Sequence, residues 1–71
     1  ALDQPDKHGS TPLFAAAGDG HAAVVETLHR LGSLAVDRAD KLGWTPMHIA
    51  AQEGHASVVE TLQRLGSTAL N

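Results

Sequence analysis

The stretch 6–37 returns 34 residues later as 40–71. The two copies, DKHGSTPLFAAAGDGHAAVVETLHRLGSLAVD and DKLGWTPMHIAAQEGHASVVETLQRLGSTALN, agree at 20 of 32 positions without a gap. A period of this length marks units that cannot bury an apolar face alone and do so by stacking on the next unit. Function in such a chain belongs to a repeated surface. The divisions follow directly: 1–5 reads as the tail of a preceding unit, 6–39 as the first repeat and 40–71 as the second.

Composition narrows the alternatives. A chain of 71 residues buries only about 60% of its unfolded surface, and its stability alone is marginal. There is no cysteine, hence neither a disulfide framework nor a thiolate metal site. The net charge is −3 with only five Lys and Arg, which argues against nucleic acid as a partner, because phosphate binding needs clustered basic residues. No apolar run approaches the roughly 18 residues of a membrane span, and the opening residues lack the pattern of a signal peptide. The expectation is a soluble chain with no membrane insertion. Its compartment is left open.

Each copy carries the same punctuation. Asp6 and Gly9, like Asp40 and Gly43, stand first and fourth in a bend, as in a type I turn. Thr11-Pro12 and Thr45-Pro46 then start a short helix, with the hydroxyl capping free N–H groups and the proline at a position that needs no donor. Alanines fill this helix and allow close approach of its neighbours. A second helix spans about 22–31 and 56–65. There Val24, Leu28 and Leu31, and likewise Val58, Leu62 and Leu65, form an apolar stripe that Val25 and Val59 widen. Gly32 and Gly66 end it. Residues 33–41, with Leu34 and Val36 alternating with other residues, read as an extended arm leading to the next bend.

With these residues in view, the chain resembles the ankyrin repeat family. The pattern of Asp, Gly, Thr-Pro, His, Ala-Ala, Gly-His, Val-Val, Leu and Gly is met by Asp40, Gly43, Thr45, Pro46, His48, Ala50, Ala51, Gly54, His55, Val58, Val59, Leu62 and Gly66, and nearly as well by the first copy. The tetratricopeptide family shares the period but expects a Trp, Gly and Tyr pattern in its first helix and a later Pro, which are missing. The resemblance implies an all-α solenoid: two stacked helix-turn-helix repeats with projecting β-turn or hairpin loops. Three departures stand out. Phe14 replaces the motif His, which should exchange a polar contact for packing. His29 and Gln63 occupy a usual second Leu, and the repeat is one residue longer than usual.

The resemblance also implies the function, protein–protein recognition through turn tips and the concave face of the first helices. The equivalent residues are Lys7, His8, Ser10, Lys41, Leu42 and Trp44, with Asp19, Gln52 and Glu53. Trp44, the single Trp, is either an interface anchor or packed against the neighbouring turn. Two other roles stay open: a structural spacer in a longer array or assembly, and small-ligand binding by stacking on Trp44, which the lack of surrounding basic residues disfavours. Ala1, Leu2 and Asp3 are in phase with Ala35, Val36 and Asp37 and with Ala69, Leu70 and Asn71, and neither copy looks capped, so end-to-end stacking with further repeats or another chain is expected. The five histidines suggest no metal: His21 and His55 should lie one helix spacing apart, too far to share an ion, and are expected to hydrogen-bond near a helix start. His8 and His29 read as exposed and solvated. No serine or carboxylate belongs to a nucleophile motif. Neither catalysis nor a cofactor is expected.

Overall fold

A computed structural model of the chain describes residues 2–67. The in-phase residues 69–71 lie outside them, as does Ala1. Four helices are present among the described residues: α1 (Pro12–Gly18), α2 (Ala22–Arg30), α3 (Pro46–Gln52) and α4 (Ala56–Arg64). None is long and apolar enough to cross a membrane.

The start of each inner helix follows from its Thr-Pro pair. Thr11 accepts a hydrogen bond from the Phe14 N–H at 3.2 Å. Thr45 does the same for His48 at 3.3 Å, and there the His48 ring reaches back to the Thr45 N–H, completing a capping box. Phe14 cannot return that bond, as its sequence position implied. Between α1 and α2 the chain reverses within three residues. The His21 N–H bonds to the Ala16 carbonyl at 2.9 Å, and Gly20 takes φ of +81°, which a side chain would strain.

Each pair of helices forms a hairpin. The hairpins stack α1 on α3 and α2 on α4, giving a body of 26 × 26 × 20 Å. The seam is one apolar core: Leu13, Ala16, Ala17 and Val25 meet Met47, Ala50, Val58 and Leu62. Alanines at the α1–α3 contact let the backbones approach. At the loop side, the Ser33 hydroxyl donates to Asp3 at 2.6 Å and the Ser67 hydroxyl to Asp37 at 2.6 Å. These equivalent bonds tie each hairpin to the segment before it.

Two sequence expectations need correction. The stripe on α2 sits differently: Val24 is 47% exposed and Leu31 62%, while Val25 is fully buried. An outer helix has two flanks, and only the one bearing Val25 faces α4. In α4 the opposite flank faces α2, so Val58 and Leu62 are buried and Leu65 is half-buried. The arm after α2 is also not a plain extended segment, since it turns at 36–37. Leu34 is 88% exposed and Ala35 is the buried residue, because the Asp3 carboxylate takes the Leu34 N–H at 2.9 Å and Ser33 caps the Ala35 N–H at 3.2 Å. The two bonds that Asp3 accepts hold its carboxyl below its ordinary range, the Ser33 hydroxyl contributing most.

Candidate interaction surface

Both bends are built by one carboxylate each. Asp6 Oδ1 accepts the N–H groups of His8 at 2.9 Å and Ser10 at 3.0 Å. Asp40 Oδ1 accepts those of Leu42 and Trp44, both at 2.9 Å. Backbone bonds close the loops: Gly9 N–H to the Asp6 carbonyl, and Asp40 N–H to the Trp44 carbonyl at 2.8 Å. The two donors, that of Ser10 first, lower the Asp6 carboxyl from its ordinary value. A carboxylate serving two donors makes each bend stiff.

The bends are also locked to each other. The Lys41 N–H donates to the His8 carbonyl at 3.2 Å. A Cβ on Gly9 would lie 2.9 Å from that same nitrogen, so glycine is what permits the approach. The result is a pair of fixed tips that present Lys7, His8, Lys41 and Leu42 to solvent. Leu42 is 83% exposed. His8, Ser10, Lys41 and Leu42, with Asp40, line one open hollow of about 480 Å³. Leu42, Gly43, Trp44 and His48 line another of about 300 Å³.

Trp44 packs on a ring of its own repeat. Its ring is half-buried and meets His48 edge-on, centroids 6.3 Å apart at 85°, a favourable aromatic geometry. The capping box orients that His48 ring. What remains of the indole surface walls the hollow beside Leu42.

Below the tips, the inner helices form a second part of the surface. Ser10, Asp19 and Glu53 border a groove of about 370 Å³ together with Asp6, and its floor is Phe14, Ala15, Gly18 and Ile49. Three carboxylates thus surround an apolar strip, while the two lysines sit on the tips. Lys7 and Gln52 are exposed but line none of these hollows. Sequence reasoning missed Ile49, Ala15 and His48 as lining residues and treated Phe14 only as a departure from pattern. All four were detectable, since Phe14/His48 and Ala15/Ile49 differ between the copies just as Ser10/Trp44 does.

The histidines divide by neighbour. His55 hydrogen-bonds through Nε2 to the Gly18 carbonyl at 3.1 Å, across the seam rather than within its own helix start. His21, at the same position in the first hairpin, is exposed and makes no cap bond, contrary to the expectation for it. His29 is half-buried, not solvated, and its Nδ1 is buried without a hydrogen-bond partner. Among the described residues no group of three or more His, Asp or Glu is placed to hold a metal ion.

A stack of paired antiparallel helices with projecting, mutually bonded bends defines a repeat solenoid of the interaction-scaffold class. A family model of ankyrin repeats, three copies long, matches residues 1–70, and the chain belongs to that family. Ankyrin repeats are generally protein-interaction modules and typically non-enzymatic scaffolds. Comparison with curated proteins gave no match.

Proposed function

We propose that the chain is a protein-binding module that grips its partner with the two tips and the acidic groove beneath them, and that it performs no catalysis. The observation that carries this reading is the exposed Leu42 beside Trp44 on a bend whose backbone is already bonded to its neighbour. An apolar anchor on a preordered frame loses little conformational freedom on association. Lys7, His8 and Lys41 form the polar rim at the tips, and Ser10, Asp19 and Glu53 the rim of the groove, with Gln52 exposed outside it. The groove's carboxylates and its Phe14–Ile49 floor favour a partner segment that presents a basic residue next to an apolar one.

The single Trp is a built-in reporter. Peptides selected from a displayed random library against the folded chain should quench or shift Trp44 emission, and Trp44→Ala or Leu42→Ala should each weaken binding by more than about 1 kcal/mol. Amide shifts that mapped the bound peptides to the outer faces of α2 and α4 would refute this site. A ligand stacked on Trp44 is the weaker reading, since the hollow there is shallow and open. The spacer role has separate support in Val24 and Ala51, exposed on opposite flanks of the described residues.

A further inference from the structure

Positions with the same residue in both copies change burial between the hairpins, and only their neighbours differ. Ala17 and Val25 are buried, but their equivalents Ala51 and Val59 are exposed and half-buried. In the other direction Pro46 and Val58 are buried while Pro12 and Val24 are exposed. The seam therefore joins two unlike surfaces, and the described residues show each of them once more, uncovered.

The polar contacts of the seam have their unpaired counterparts there too. Across the seam, the His55 ring lies so close over Gly20 that a Cβ would come within 2.8 Å of its Nδ1. Arg64 pairs bidentately with Glu26 at 3.1 and 3.4 Å. On the open surfaces the same parts are His21 and Arg30 on one side, Gly54 and Glu60 on the other. A Cβ placed on Gly54 would meet nothing within 4 Å, and this glycine borders an open hollow of about 410 Å³ with Ala51, Ala56, Val59 and Glu60. Where the copies differ, the differences compensate. Gly18 faces Ile49, whose side chain would lie 3.2 Å from a Cβ there; the corresponding open pair is Gln52 and Ala15, a large residue opposite a small one.

We propose that a second copy of this chain docks head to tail on the α3–α4 flank, its His21 ring over Gly54 and its Arg30 against Glu60, repeating the internal seam. Such a contact is heterologous, so each docked copy leaves the same surface open again and association continues beyond the dimer. It uses the flanks of the stack and leaves the tips free, meeting the groove only at its Ala15 edge.

Sedimentation equilibrium of the full chain tests it. The weight-average mass should rise with concentration up to about 1 mM and pass that of a dimer. Ala51→Glu blocks one surface and Val24→Glu the other, both at exposed sites, and each variant should stay monomeric with an unchanged helical circular dichroism spectrum. Mixed in equal amounts, they should form a dimer and nothing larger, since only one intact pair of surfaces remains. A wild-type chain that stays monomeric, a single variant that still polymerises, or a mixture that stays monomeric would each overturn the proposal.

Discussion

Gly20 and Gly54 provide a matched pair for measuring what the seam demands. Both have positive φ, +81° and +78°, and both end an inner helix with the same backbone bonds. An alanine at either incurs the left-handed strain of about 1–2 kcal/mol. Only at Gly20 does the new methyl meet something, the His55 ring at 2.8 and 2.9 Å. The ring must move, and its bond to the Gly18 carbonyl is lost, which costs a further ~0.5–1.5 kcal/mol. Gly20→Ala should therefore destabilise by about 1 kcal/mol more than Gly54→Ala. Urea unfolding of dilute protein, followed by helical circular dichroism, reads the difference as a shift in midpoint at constant slope. Sucrose in all samples keeps a folded baseline for so small a chain. In a His55→Ala background the two glycine substitutions should cost the same. Equal costs in the wild-type background would refute the reasoning, since the ring contact would then carry no energy.

Four further outcomes follow from particular residues. Replacing His29 by Leu should raise stability by about 1 kcal/mol, because it removes a shielded nitrogen that has no partner; a lower urea midpoint would count against this. Leu62→Ala, at a fully buried position, should cost about 2–5 kcal/mol and leave little folded chain at room temperature, whereas Arg64→Ala should cost less than about 1 kcal/mol and lose its effect in high salt, its ion pair being exposed. Asp3 and Asp6 have folded-state carboxyls lowered from 3.8, so their stabilisation is complete above that value and lost as pH falls through the lower folded values; Asp3→Asn should flatten the acid limb of a stability–pH profile, and an unchanged limb would exclude that carboxylate.

The helices, their caps and the stacked architecture were legible from the sequence, because each depends on local chemistry: Thr-Pro starts, Asp-x-x-Gly bends, and an apolar period repeated in register. Most of the tip residues were legible for the same reason, and Leu42 and Trp44 do share a hollow. That Phe14 and Ile49 share one groove floor was not. Phe14 and Ile49 come from different hairpins, and only their stacking brings them to one strip. The fate of identical residues was also beyond the sequence. Val24 and Val58 stand in the same local setting, yet one is half in solvent and the other is sealed, since burial depends on which neighbour lies alongside rather than on the residue's own period. Local hydrogen bonding and periodicity belong to the chain as written; which flank of each helix is covered, and which histidine finds a carbonyl, is decided only when one hairpin lies against another.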